Sequence, residues 1–245
     1  MSEKIESKVD ERLRKRGRKY KEALTKIEER KYKLEEAVSV IREVAANTAK
    51  FDQTIEVILR LGVDPKYADQ MVRGYIVLPH GVGKTKKVAV IASGEKLKEA
   101  EENGADYAGE DELIEKINTG WIDFDAVVAT PDVMRKVGKL GKVLGARGLM
   151  PSPKSGTVTF EVKDAIREIK AGKVEFKVDK AGIIHSGVGK ASFTQEQLQE
   201  NSKSFLDAVM KAKPVGAKGK YVLRAFLCAT MTPSVELDVS IIDQQ

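Results

Sequence analysis

The spacing of hydrophobic positions changes several times along the chain, and each change predicts an element. Leu34, Ala37, Val38, Ile41, Val44 and Ala45 recur at intervals of three and four, which predicts an amphipathic helix over residues 34–47. Gln53–Leu61 then alternates polar with apolar residues, the period of a half-buried strand in an antiparallel sheet. Gly62 to Pro65 break that strand, and Val72–Leu78 predicts a second. Lys87–Ala92 and Ala126–Ala129 are short apolar strands of the kind covered on both faces, alternating with helices expected over Gly94–Asn103 and Asp111–Asn118. A helix over Val162–Lys170 closes at Ala171-Gly172. Lys173–Val178 and Ile183-Ile184 bracket the turn sequence Asp179–Gly182 and predict a hairpin. Thr194–Lys211 reads as a helix with Leu198, Phe205 and Val209 inward, Tyr221–Ala229 as a long strand and Val235–Val239 as a final one.

Both ends of the chain therefore read as helices on an antiparallel sheet, and the middle as strands alternating with helices. The expected architecture is an α+β discontinuous domain, residues 1–80 plus 172–245, with an α/β three-layer Rossmann-like domain inserted over 81–171. Glycine at or near each crossing, Gly81 and Gly172, makes a plausible two-strand hinge.

One stretch resists the periodic reading. From Ala129 to Val158 there is no acid after Asp132, while Arg135, Lys136, Lys139, Lys142, Arg147 and Lys154 all fall within it. Gly138, Gly141, Gly145, Gly148 and Gly156 recur at a cost of about 1 kcal/mol each in a helix interior, so a loop with exposed backbone is expected. Close main-chain N–H groups flanked by Lys and Arg have the chemistry of a phosphate-binding surface. Thr130, Pro131 and Asp132 open the segment as a turn-to-helix signal, with Thr130 as the N-cap.

Charge adds a modest push in the same direction. Lys and Arg number 43 against 37 Asp and Glu over 245 residues, a net charge of +6 that favours a polyanionic partner. Residues 1–31 interleave basic and acidic side chains, including Arg12, Arg14, Lys15, Arg16, Arg18 and Lys19, as a charged helix or a basic arm. Cys228 is the single cysteine and sits in an apolar run, so it is expected to pack as a small hydrophobe. There is no signal-peptide pattern and no run near the roughly 18 apolar residues of a membrane span, so the cytosol is expected.

Catalytic readings fare poorly. Gly81-Val-Gly83-Lys84-Thr85 ends like a nucleotide-binding loop, but Leu78 stands where that signature needs glycine, and an apolar strand follows where a helix is required. His80 and His185 are the only histidines, and neither lies near a cysteine, so no metal is expected. Ser186 adjoins His185, but neighbours on a strand point to opposite faces. An enzyme acting on a phosphorylated substrate through the glycine-rich loops remains the rival reading, with a protein-binding scaffold behind it.

The glycine and lysine stretch resembles the signature region of the large-subunit ribosomal protein L-one family, bacterial type. The resemblance extends from about Gly17 through Val72-Arg-Gly74, Leu78-Pro-His-Gly81, Gly104-Ala-Asp106, Asp123-Phe-Asp125, Asp179-Lys180, His185 and Val188–Phe193. Lys50-Phe51-Asp52-Gln53-Thr54 and Thr230-Met231-Thr232-Pro233-Ser234 carry it into the terminal domain. The family usually reads Thr-Met-Gly-Pro-Ser, so Thr232 stands where glycine is expected and narrows the backbone's freedom there.

What the resemblance implies is a ribosomal RNA-binding constituent of the large subunit, in the mobile stalk beside the tRNA exit site, assisting release of deacylated tRNA. It also implies repression of the protein's own messenger RNA, a free monomer, no membrane, no cofactor and no catalysis. The RNA-binding residues it implies are Lys50, Phe51, Thr54, Lys180, His185, Thr230, Met231, Thr232 and Ser234. Lys139, Lys142, Arg147 and Lys154 would make a secondary RNA contact. Phe can pack on ribose or a base, while Thr and Ser hydroxyls reach phosphates and 2′-OH groups.

Overall fold

The computed structural model describes residues 16–217 and 219–241, and the chain divides into two compact units. One takes the chain up to Val72 and again from Phe176; the other is Arg73–Glu175. Arg12, Arg14 and Lys15 of the expected basic arm lie outside the described residues.

In the first unit, α1 (Arg18–Thr25) precedes α2 (Leu34–Thr48), whose Ala37, Val38, Ile41, Val44 and Ala45 are buried as their spacing predicts. β1 (Thr54–Leu61) buries Ile55, Val57, Leu59 and Leu61 and leaves the alternate positions at least partly exposed. It lies between β7 (Ile183–Lys190) and β8 (Val222–Ala229), with β9 (Val235–Leu237) outside β8, and all three pairings are antiparallel. The inward face packs on α2 and on α8 (Gln195–Lys211). Leu198, Phe205 and Val209 of α8 are fully buried, and Thr194 caps it by a capping box with Gln197.

The second unit is built on a three-stranded parallel sheet of β3 (Val88–Ile91), β4 (Tyr107–Gly109) and β5 (Ala126–Ala129), in the order β4-β3-β5. Every residue of β3 is buried, because both faces are covered. Val88 and Val90 pack with Ala100 of α3 (Glu95–Glu102) and with Ile166 and Ile169 of α7 (Val162–Ala171). Ala89 and Ile91 pack with Leu113 and Ile117 of α4 (Asp111–Asn118) and with residues 133–144.

Three expectations need correction. The Asp179–Gly182 turn forms, with Asp179 Oδ1 accepting the N–H groups of Ala181 and Ile183 at 2.8 Å, but it does not close a hairpin. The Asp179 N–H also donates to the Ile183 carbonyl at 2.8 Å, but pairing goes no further: β6 (Lys173–Lys177) pairs with β2 (Arg73–Val77), the Val178 N–H donates to the Val72 carbonyl at 2.9 Å, and β7 joins β1.

The glycine-rich stretch is largely helical. Pro131–Val133 and Gly138–Leu140 are 3-10 turns flanking α5 (Met134–Val137), and α6 (Gly141–Ala146) follows. Val133, Val137, Leu140 and Leu144 recur at three and four and are buried against the sheet. Four such burials contribute about 1.5–3 kcal/mol each, which outweighs the glycine penalties of about 1 kcal/mol. The glycines fall on the outward side, where a Cβ at Gly138, Gly141 or Gly145 would meet no atom within 4 Å. Thr130 also departs from expectation: its side chain makes no cap bond, and Oγ1 is buried without a partner.

Leu144→Ala should therefore cost about 2–5 kcal/mol in urea unfolding. Gly145→Ala should leave stability unchanged or raise it by about 0.4–1 kcal/mol. Destabilisation by Gly145→Ala would mean that the fold needs this glycine.

Candidate nucleic-acid interface

The register of β1 decides which residues meet. Thr54 opposes Lys190 of β7, and Ile55 opposes Ala229 of β8, so the start of β1 and the ends of its two neighbours share one edge of the sheet. The segments Lys50–Thr54 and Thr230–Ser234 converge there from 176 residues apart. The Thr54 N–H donates to Thr230 Oγ1 at 3.2 Å, and that hydroxyl lies 3.3 Å from the Thr54 carbonyl, to which it donates. The Thr230 N–H reaches the same carbonyl at 3.2 Å.

Gln53 ties this edge to a helix. It is fully buried; Nε2 donates to the Ala45 carbonyl at 2.7 Å, and Oε1 accepts the Met231 N–H at 2.8 Å. Asp52 accepts both the N–H and the hydroxyl of Ser192, at 3.0 and 2.8 Å. Lys190 Nζ donates to Thr54 Oγ1 at 2.8 Å. Thr232 fits the position expected for glycine, because no described residue other than glycine has positive φ. Its Oγ1 accepts the Ala229 N–H at 2.9 Å and so closes the turn.

This bonded edge presents two large apolar side chains to solvent: Phe51 and Met231 are each 54% exposed. Lys50, Thr230 and Ser234 are exposed around them. Holding two apolar groups in water on a braced turn stabilises nothing in the free protein, so the arrangement suits a partner that covers them.

The remaining residues fall elsewhere. His185 is exposed at mid-sheet opposite Ile58, on the face that β1 leaves half-open, and Ile58 separates it from Phe226 of β8, the strand that also carries Cys228 opposite Glu56. Burial raises the Cys228 thiol to about 11, with Glu56 adding to the shift, which suits packing rather than reactivity. Lys180 is exposed at the other end of β1, where the Gly182 carbonyl accepts the Leu61 N–H at 2.8 Å. The structure thus gathers Lys50, Phe51, Thr54 and Thr230–Ser234 and leaves Lys180 apart.

In the second unit, Lys139 and Lys142 lie on short helical turns and Arg147 at the end of α6, all exposed, rather than on a slack loop. The Lys154 side chain lies outside the described residues. Lys136 is taken up by Glu110 and Asp111 at 2.9 and 2.8 Å, and these partners raise its pKa. The lysines after Gly83 are also engaged: Lys84 with Asp125 at 2.6 Å, Lys87 with Asp123 at 2.8 Å, and Lys86 with the Lys173 carbonyl. Burial lowers the Lys86 pKa.

Gly81 and Gly172 have φ of 64° and 108° and stand against each other; a Cβ on Gly172 would lie 2.4 Å from the Gly81 Cα. Both lie inside the second unit, which begins at Arg73 and ends at Glu175. Among the described residues, no group of three or more His, Cys, Asp and Glu side chains could hold a metal ion. No helix among them is long and apolar enough to cross a membrane.

Sequence reading passed over Gln53, Lys190 and the Asp52–Ser192 pair as site residues. Gln53 had a signal: it lies two residues before Ile55, in the buried phase of β1, and a polar residue there needs partners.

Gln53→Leu should orphan the Ala45 carbonyl and the Met231 N–H at about 1–3 kcal/mol each. Gln53→Glu keeps the acceptor but loses the donor once ionised. Burial raises that carboxyl's folded pKa above its unfolded value, so the variant's stability deficit should grow as pH rises through the folded pKa. Urea unfolding across pH measures both; a pH-independent Gln53→Glu would contradict the bridging geometry.

A model of the Ribosomal protein L1p/L10e family matches residues 41–233. The chain is also 58% identical over 228 residues to the large ribosomal subunit protein uL1 of Solibacter usitatus, covering 93% of this chain and 95% of that one.

Proposed function

The chain belongs to the ribosomal protein L1p/L10e family, and from that premise we propose that it binds large-subunit ribosomal RNA through the Phe51–Met231 edge of its four-stranded sheet. The family is structural rather than catalytic, and its members are constituents of the large ribosomal subunit, in the cytoplasm. What carries the assignment to this edge is the pair of exposed apolar side chains on a turn braced by Gln53 and Thr230. A rigid turn with hydroxyls, a lysine and two stackable side chains reads the shape of a folded RNA.

The outward glycines of residues 138–145 support a secondary contact. The fold does not need them for space, and their missing Cβ atoms let a phosphate approach the backbone beside Lys139, Lys142 and Arg147. On this reading the first unit supplies specificity and the second adds charge. The protein then sits in the stalk beside the exit site and assists release of deacylated tRNA. As a free monomer it binds its own messenger wherever that RNA folds into the same shape, and so represses its translation. The rival phosphate-processing enzyme loses its candidate lysines, since Lys84, Lys86 and Lys87 are already engaged.

Thr230→Val removes both bonds of the hydroxyl and should weaken binding to the specific RNA by about 1–3 kcal/mol, with the salt slope nearly unchanged. Thr230→Ser should bind as the parent does. Replacing Lys139, Lys142 and Arg147 together should flatten the salt slope by about one unit for each phosphate that is no longer neutralised. Titrations against specific and scrambled RNA at several salt concentrations separate the two effects. Wild-type affinity in Thr230→Val would reduce Thr230 to a turn residue.

A further inference from the structure

We propose that the opposite end of the same sheet, around Lys66, Tyr67, Lys180 and Lys213, is a second RNA contact, so that one RNA is held at both ends of β1. The proposal rests on the RNA-binding reading above. Three loops converge at this end. Gly62 donates its N–H to the Tyr221 carbonyl at 2.7 Å, and a Cβ on Gly62 would lie 2.4 Å from the Lys220 carbonyl oxygen. A Cβ on Gly182 would lie 3.3 Å from the carbonyl oxygens of Leu61 and Val63. A Cβ on Gly216 would lie 3.0 Å from Asp69 Oδ2. The segments after β1, before β7 and before β8 therefore form one surface.

Tyr67 stands on that surface 60% exposed, and its loop is structured. The Asp64 N–H donates to Gln70 Oε1 at 2.9 Å, the Lys66 N–H to Asp64 Oδ1 at 3.1 Å, and the Tyr67 N–H to the Asp64 carbonyl at 3.2 Å. Three exposed carboxylates share the surface: Asp64 accepts the Lys66 N–H, Asp179 those of Ala181 and Ile183, and Asp69 lies beside Gly216. Lys66, Lys180 and Lys213 are exposed.

An aromatic face held out among lysines is the combination that stacks a base while neutralising the phosphates beside it. A protein partner would call for more apolar area than the Tyr67 ring offers. The strand between the two ends spans about 23 Å at 3.3 Å per residue, so an RNA must extend past the first contact to reach the second. This also gives Lys180 a role that its distance from Phe51 otherwise denies it.

The test is hydroxyl-radical footprinting of the full chain on large-subunit ribosomal RNA, with titrations at several salt concentrations. Wild type should protect two patches. Lys66→Gln/Lys180→Gln/Lys213→Gln should lose one patch and flatten the salt slope by about two to three units, one for each lysine. Tyr67→Ala should lose the same patch with little change in slope. Phe51→Ala should lose the other patch. All the substituted side chains are exposed, and matching circular dichroism will show that folding is intact. A wild-type footprint and slope in the lysine variant overturn the second contact, whatever Phe51→Ala does. A far end that leaves RNA unprotected but holds another protein in reconstituted subunits overturns it too. Failure of Phe51→Ala alone would strike the first contact and leave this one standing.

Discussion

The register of β1 is the constraint on which the candidate interface depends. β1 is paired along its length on both sides, with its inner face buried against helices, and a slip of one residue would turn Ile55, Val57, Leu59 and Leu61 outward. Burial of those four side chains makes that slip prohibitive. The same register sets Thr54 beside Lys190 and Thr230, so residues far apart in sequence share one edge. The edge is then locked from behind, where Gln53 spans the Ala45 carbonyl and the Met231 N–H. Core packing thereby positions groups that contribute nothing to the core.

Much of this was legible in the sequence wherever burial has a period. The three-and-four spacing of Leu34–Ala45 and the alternation of Gln53–Leu61 gave helix and strand because one face of each is covered. The all-apolar Val88–Ile91 signalled cover on both faces, which helices from either side of the parallel sheet supply.

What sequence reading missed came from weighing a local preference above a tertiary one. Five glycines argued for a loop, yet Val133, Val137, Leu140 and Leu144 draw the segment onto the sheet. Turn residues at Asp179–Gly182 argued for a hairpin, yet the strands on either side belong to different sheets. At the candidate site, residue types pointed to Phe51 and Thr230, whereas the braces Gln53, Lys190 and Asp52 emerge only when the strands are set side by side. Lys180 shows the converse: a residue grouped with the others by resemblance stands at the far end of the strand.

The most direct test of the central claim is amide chemical-shift mapping of the full chain titrated with a large-subunit ribosomal RNA fragment. The account predicts that the largest perturbations fall on Lys50–Thr54 and Thr230–Ser234, with Ala45 responding through Gln53. Perturbations confined to residues 73–175, with Phe51, Thr230 and Met231 unmoved at saturation, would contradict it.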